Sequence, residues 1–232
     1  MAPVLGFVGL GVMGEPMCRN LARKSGAPVV AFDARGEPLE SLKSAGVEPC
    51  ASAVDVARRA DIVFLCLPGE PQVRAVCLGD GGSSALVAHA RRGQTVVDMS
   101  TCPVALAQEL GRAFAARGVD FADAPIARTA QAARDGTLSI MVGGEPSVFE
   151  RLAPYLRCMG TEVTHCGPVG AGQVVKLMNN MVVASTVVAL AEALAAARAS
   201  GVVDPRVLFE TLMKGSADSF VLRNHGMKSR PP

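Results

Sequence analysis

The sequence predicts an α/β fold, a doubly wound parallel sheet followed by one long helix and a short all-helical region. Three observations lead there. Short apolar runs of four to six residues alternate with helical patterns as far as about Gly167. Those runs are apolar throughout rather than alternating, as expected of parallel strands covered on both faces. Beyond Gly167 the chain becomes rich in Ala and Val, lacks proline from Gly170 to Ser200, and is patterned as one helix.

Taken in order, Val4–Val8 reads as a buried strand that runs straight into the glycines of "GFVGLGVMGEPM" (Gly6–Met17). A helix follows from about Gly14 to Lys24. Val29–Phe32 is the next strand and ends at Asp33. Ile62–Leu67, Thr95–Asp98, Val119–Ala122 and Leu138–Val142 continue the series. Gly201 is placed to stop the long helix. Asp204-Pro205 then reads as an N-cap with proline at the first helical position, opening a helix to about Lys214. The expected domains are therefore 1–166 and 167–232. The polar end, "RNHGMKSRPP", is expected to fray.

Composition narrows the function. Half of the 232 residues are hydrophobic, enough for a large core, although Trp is absent and Tyr occurs once. A net charge of +2 with scattered Arg residues gives no basic block suited to nucleic acid. The seven cysteines are odd in number and form no C-x-x-C pair. No disulfide framework or metal site is expected, and a reducing cytoplasm is the natural setting. The N-terminus has no basic segment of the signal-peptide kind. The uncharged run between Lys176 and Glu192 is 15 residues and holds two Asn, too short and too polar for a comfortable membrane span.

Gly9, Gly11 and Gly14 are spaced G-x-G-x-x-G, with Val12 and Met13 completing the turn. Alone the pattern is weak, because glycine turns are common. Here it follows a strand and opens a helix, the context of a dinucleotide site. Gly9 permits the tight turn, Gly11 admits a pyrophosphate to the backbone, and Gly14 lets helix and strand pack. Asp33, 19 residues beyond Gly14, ends the second strand. Its carboxylate suits the adenosine ribose hydroxyls and repels a 2′-phosphate, unless it is only a surface turn residue. NAD is the expected cofactor, and Arg35 leaves room for NADP.

Two further stretches can carry chemistry. "DMST" (Asp98–Thr101) ends a strand, and strand ends line the ligand crevice of such sheets. Ser100 and Thr101 can meet a nicotinamide ring or a substrate there; equally, they can cap the helix after Pro103. In "GPVGAGQVVKLMNN" (Gly167–Asn180), Lys176 and Asn180 are four apart and share a helical face. A lysine in an uncharged stretch is expected to be partly buried, burial lowers a lysine pKa, and such a group can protonate a carbonyl oxygen as hydride arrives, with Asn180 steadying it or the substrate oxygen. As isolated residues they also fit a snorkelling lysine and a capping asparagine.

Together these segments resemble the β-hydroxyacid dehydrogenases, the family of 3-hydroxyisobutyrate dehydrogenase and tartronate semialdehyde reductase. The similarity lies in "GFVGLGVMGEPMCRNL", "CLP" (Cys66–Pro68), "DMST", "DAP" (Asp123–Pro125), "GTLSIMVGG" (Gly136–Gly144) and "GAGQVVKLMNN" (Gly170–Asn180), in the family's order, to about Ser219. The resemblance implies a Rossmann domain, an inter-domain helix and an all-helical C-terminal domain that is incomplete here. It implies Lys176 as the catalytic lysine, Asn180 as its companion, Ser100 and Thr101 at the nicotinamide, and Leu67 and Pro68 along the cofactor.

Two departures shape the expectation. Where the family reads Val-Ser-Gly-Gly after "DAP", this chain reads Ile126-Ala127-Arg128-Thr129. That resembles the Gly-Arg-Thr of sulfolactaldehyde reductases. Arg128, Thr129 and Ser100 are therefore expected at the substrate, a small carboxylate or sulfonate, unless Arg128 faces solvent. The family also continues with a Lys-Asp-Leu segment that does not follow here. An apolar face on the 170–200 helix would then need covering, which points to a homo-oligomer. The leading reading is an NAD(P)-dependent reductase of a short aldehyde acid. The competing one is a catalytically impaired nucleotide-binding homologue that acts through association.

Overall fold

The structure, a computed structural model, describes residues 2–79 and 85–226. Met1–Lys176 and Leu177–Pro232 form two compact units. The first begins with β1 (Leu5–Val8), α1 (Gly14–Lys24), β2 (Val29–Phe32), α2 (Glu37–Lys43), β3 (Val47–Pro49), α3 (Ala53–Arg59) and β4 (Ile62–Leu65). It continues through α4 (Glu70–Cys77), α5 (Leu86–His89), β5 (Thr95–Asp98), α6 (Val104–Ala115) and β6 (Asp120–Asp123). Then come β7 (Ile126–Ala127), α7 (Ala130–Asp135), β8 (Leu138–Gly143), α8 (Pro146–Leu156) and β9 (Gly160–Gly167). α9 (Ala171–Ser200) starts in the first unit and continues into the second, which also holds α10 (Pro205–Leu212) and a π-helical turn at Leu222–Gly226.

The strand order is β3-β2-β1-β4-β5-β6-β8-β7, with β9 paired to β8. β1 to β6 pair in parallel throughout, whereas β8 is antiparallel to β6 and β7. The chain moves outward from β1 in one direction, then returns to place β4 on its other side. A crevice opens where the order reverses, at the carboxyl ends of β1 and β4.

Two apolar layers enforce this arrangement. Phe7, Phe64 and Val97 face one layer with Met17 and Leu21 of α1. Val8, Val63, Leu65 and Val96 face the other with Phe114 of α6. All four positions of β1, β4 and β5 are buried, which accounts for runs without polar alternation. The rings of Phe7 and Phe64 stack at 6.2 Å across neighbouring strands. Each such buried side chain contributes roughly 1.5–3 kcal/mol of transfer free energy.

Most predicted elements stand within a residue or two of their expected bounds. The fourth strand is shorter than expected: it ends at Leu65, so Cys66, Leu67 and Pro68 form a loop at the crevice. β9 is an element the periodicity misses, because its central residues are only partly covered. Gly201 has φ +62°, and Asp204 accepts a hydrogen bond from the Arg206 amide at 2.7 Å, as a helix stop and an N-cap require. Of the tail expected to fray, residues 227–232 lie outside the described part. α9 is long and apolar enough, by length and composition alone, to cross a membrane; its most apolar window has mean hydropathy 1.7. Its strictly uncharged run, between Lys176 and Glu192, is 15 residues.

Candidate active site

The glycine turn leaves the end of β1 and enters α1. Gly9 has φ +94°, and a Cβ there would lie 2.3 Å from the Cys66 carbonyl oxygen. A Cβ on Gly14 would lie 2.0 Å from the Gly9 carbonyl oxygen. These two glycines let turn, helix and β4 loop approach one another. Gly11 differs, since a Cβ there would meet nothing within 4 Å. It borders open space instead. Met13 sits at the N-cap of α1 and makes no side-chain cap among the described residues; the Glu15 amide donates to the Gly11 carbonyl at 3.0 Å and Pro16 has no N–H, so an anion at this helix start would meet the turn and the Gly14 backbone rather than a full first turn of amides.

A cleft of about 800 Å³ opens over this turn. Gly9, Gly11, Val12, Met13 and Gly14 line it, together with Asp33 and Arg35 after β2 and Cys66, Leu67 and Pro68 after β4. Its size suits a cofactor. Asp33 Oδ2 accepts the Leu10 amide at 2.6 Å, and Oδ1 accepts the Arg35 amide at 2.9 Å. Arg35 Nε adds a bond to Oδ1 at 3.2 Å. Burial pushes the Asp33 pKa up, but the two amides and the guanidinium outweigh it and hold the carboxyl below its usual range. Asp33 is thus a fixed anion at the end of β2.

A second set of polar groups lies at the ends of β5 and β6. The buried Ser100 hydroxyl accepts the Leu67 amide at 2.9 Å, and the Ser100 amide donates to Asp98 Oδ1 at 2.9 Å. Thr101 is exposed beside it. Asp98 is fully buried, and its Oδ2 has no hydrogen-bond partner among the described residues. Burial raises its pKa to about 6, although the Ser100 and Cys102 side chains act to lower it. Asp123, also buried, accepts the Gly170 amide at 2.6 Å and the Gln173 amide at 2.8 Å. It therefore caps the start of α9 from a strand 47 residues upstream.

Gln173, fully buried, completes the connection. Its Nε2 donates to the Ser100 carbonyl at 2.8 Å, and its Oε1 accepts the Cys102 amide at 3.0 Å. Neither Asp123 nor Gln173 received a role from sequence, although both stand inside the motifs that carried the resemblance. Lys176 follows one turn later, half-buried, and its pKa is lowered by that burial. Among the described residues no carboxylate pairs with its ammonium. Asn180 is exposed one turn further along α9, and its Oδ1 accepts Asn179 Nδ2 at 3.4 Å.

Arg128 and Thr129 follow β7. Arg128 has φ +88°, the one positive value outside glycine among the described residues. Its Nη1 donates to the Thr137 carbonyl at 2.5 Å and to the Thr161 hydroxyl at 3.3 Å. Its Nε and Nη2 have no partner among the described residues. Thr129 is the N-cap of α7 and accepts the Ala132 amide. Among the described residues no cluster of His, Cys, Asp and Glu has the makings of a metal site.

Comparison with known proteins agrees with this geometry. The family model described as the NAD binding domain of 6-phosphogluconate dehydrogenase matches residues 4–167. That described as NAD-binding of NADP-dependent 3-hydroxyisobutyrate dehydrogenase matches residues 170–230, well past Ser219, where the motif resemblance ended. The chain is 38% identical to 2-hydroxy-3-oxopropionate reductase of Escherichia coli over 96% of its length and 74% of the relative's. It is 35% identical to 2-(hydroxymethyl)glutarate dehydrogenase of Eubacterium barkeri over 94% and 71%. The structure of Mycobacterium tuberculosis 3-hydroxyisobutyrate dehydrogenase with L-serine superposes with a TM-score of 0.88 at 31% identity, covering all of this chain and 77% of that one. A reversed strand order around a glycine-lined cleft, a lysine one turn into the helix after the sheet, and these similarities lead to one conclusion: the chain belongs to the β-hydroxyacid dehydrogenase family of NAD(P)-dependent oxidoreductases.

Proposed function

We propose that the protein interconverts a short 3-hydroxy acid, or 3-hydroxy sulfonate, and its aldehyde acid, with residues 1–166 holding the cofactor and 167–232 forming the helical part. The observation that carries this reading is Lys176. It is a half-buried lysine, with no carboxylate partner among the described residues, on the turn of α9 that is hydrogen-bonded to the β5 loop. The cofactor, when bound, supplies or accepts the hydride. Open space at Gly11 and the fixed Asp33 carboxylate fit such a dinucleotide. Leu67 and Pro68 flank it, Ser100 and Thr101 border the reacting end, and Asn180 steadies the lysine. In reduction Lys176 Nζ gives its proton to the carbonyl oxygen; in oxidation the neutral amine takes it back.

Asp33 favours NAD(H) in this reading, because its carboxylate would face a 2′-phosphate at close range. The exposed Arg35 offsets only part of that repulsion. The wild type is expected to bind NADH at least about tenfold more tightly than NADPH, and Asp33→Ala to close most of the gap. Fluorescence titration of both cofactors measures this. Equal wild-type affinities would remove Asp33 from the role.

Arg128 is assigned to the acid group of the substrate, with Thr129 and Ser100 alongside. Its Nη1 is anchored on Thr137 and Thr161, so the opposite edge, Nε with Nη2, can take a carboxylate or sulfonate in two parallel bonds. Arg128→Gly suits the positive φ and removes the fork. It is expected to weaken transition-state binding of acidic aldehydes by roughly 2–4 kcal/mol, and of neutral aldehydes far less. Equal losses of kcat/KM for both would make Arg128 a structural residue.

The second unit supports association. Met178, Met181, Val182, Val187 and Val188 of α9 are each about half exposed, between 47% and 59%. These and the similarly exposed Val174, Val175 and Val183 leave α9 apolar around its circumference rather than along one stripe; exposed apolar surface of this extent marks an interface, and we assign it to a second copy of the chain. Light scattering without detergent is expected to report a dimer or larger; a stable monomer, or a requirement for detergent, would contradict this.

A further inference from the structure

The hydrogen bonds around Gln173 do more than start a helix. They join four separate pieces of chain: the loop after β4, the loop after β5, the end of β6, and the first turn of α9. The connection runs from the Leu67 amide to the Ser100 hydroxyl, and from the Ser100 carbonyl to Gln173 Nε2. It is doubled by the Cys102 amide on Gln173 Oε1. The Gln173 amide and the Gly170 amide both end on Asp123, at the tip of β6. Lys176 is three residues beyond Gln173, hence on the same side of α9.

The surrounding backbone is shaped to admit the Asp123 carboxylate. A Cβ on Gly143 would lie 2.4 Å from Asp123 Oδ1, and one on Gly172 would lie 2.8 Å from Oδ2 and 2.3 Å from the Met141 carbonyl. Any side chain at either position would force the carboxylate or the surrounding backbone to shift. Gln173 is completely buried, and both ends of its amide are used. A glutamate there could accept from Cys102 but could not donate to the Ser100 carbonyl. A hydrophobic residue would leave one buried carbonyl and one buried amide without partners.

We propose that Gln173, anchored by Asp123, is a positioning residue of the reaction: it fixes the Lys176 ammonium relative to the Leu67 and Ser100 loops. The inference rests on Lys176 being the proton donor. Gln173 itself touches neither substrate nor cofactor. Its effect is on alignment, where a displacement of about 1 Å can cost on the order of a hundredfold in rate.

The test uses Gln173→Met, close to isosteric, with Gln173→Asn in its place if the Met variant does not fold. Turnover and NADH affinity are measured with the full chain. Lys176 is one of five lysines, so its own titration can be followed by NMR of lysine-labelled protein, assigned with Lys176→Ala. The expected result is a fall in kcat of about 10–100-fold, NADH affinity within about threefold of wild type, and a Lys176 midpoint moved up toward the ordinary lysine value. Unchanged kcat with an unchanged Lys176 titration would overturn the proposal. So would parallel losses of kcat and NADH affinity, which would show a loosened crevice rather than a displaced lysine. If wild type shows no turnover, or Lys176→Ala keeps it, the proton-donor reading fails on its own. The Lys176 titration in the Gln173 variant then still decides whether Gln173 fixes that ammonium.

Discussion

Lys176→Ala is expected to lower turnover by about 10²–10⁴-fold while leaving NADH affinity nearly unchanged, the usual contribution of a positioned general acid. The pH profile supplies a second signature. Burial holds the Lys176 pKa below its ordinary 10.5. Aldehyde reduction needs the charged form, so its rate falls as pH rises through that lowered pKa. Alcohol oxidation needs the neutral amine, and its rate rises over the same range. Both limbs should vanish in Lys176→Ala. Steady-state rates in the two directions across pH are the measurement; a variant that keeps both the rate and the limbs would place the proton elsewhere.

Gly14→Ala and Gly11→Ala should separate folding from binding. The Gly14 methyl would sit 2.0 Å from the Gly9 carbonyl oxygen and 3.0 Å from its carbon. Both are backbone atoms, which no rotamer change can move. Strain of this kind costs roughly 1–3 kcal/mol or more, and the turn must open, so NADH binding should be lost as well. The Gly11 methyl meets nothing within 4 Å. Its stability should stay within about 0.5 kcal/mol of wild type, yet NADH affinity should fall, because the methyl fills space a pyrophosphate needs. Urea unfolding and NADH titration of both variants measure the pair. An equally stable Gly14→Ala that still binds NADH would refute the reading of this turn.

The sequence discloses what local physics dictates. β1, α1 and β2 are legible because a wholly apolar strand, three glycines and a second strand ending at Asp33 follow at close spacing. The long helix is legible from its unbroken Ala and Val pattern and its glycine stop. Tertiary bonds are not legible in that way. The change in composition falls at Gly167, yet the first compact unit runs on through Lys176. The start of α9 is bound to the sheet by Asp123 and Gln173, and no periodicity encodes a carboxylate capping a helix 47 residues downstream. Arg128 shows the same limit. Its position after "DAP" is visible in the sequence, but its anchoring on Thr137 and Thr161 arises from a strand pairing that only the fold supplies. β9 escaped because its half-exposed middle, Glu162-Val163-Thr164-His165, holds a single apolar residue, so no apolar run marks it.

In the proposed reaction hydride passes between a nicotinamide cofactor and a short aldehyde acid, with Lys176 moving the proton. The most direct test is steady-state oxidation of NADH and NADPH by the purified wild-type chain. The aldehydes are sulfolactaldehyde, tartronate semialdehyde, methylmalonate semialdehyde and succinic semialdehyde. The account predicts cofactor oxidation with at least one of these, faster with NADH than with NADPH, and absent in Lys176→Ala. A folded protein that binds NADH but oxidises neither cofactor with any of the four would contradict it and would favour a nucleotide-binding homologue that works by association.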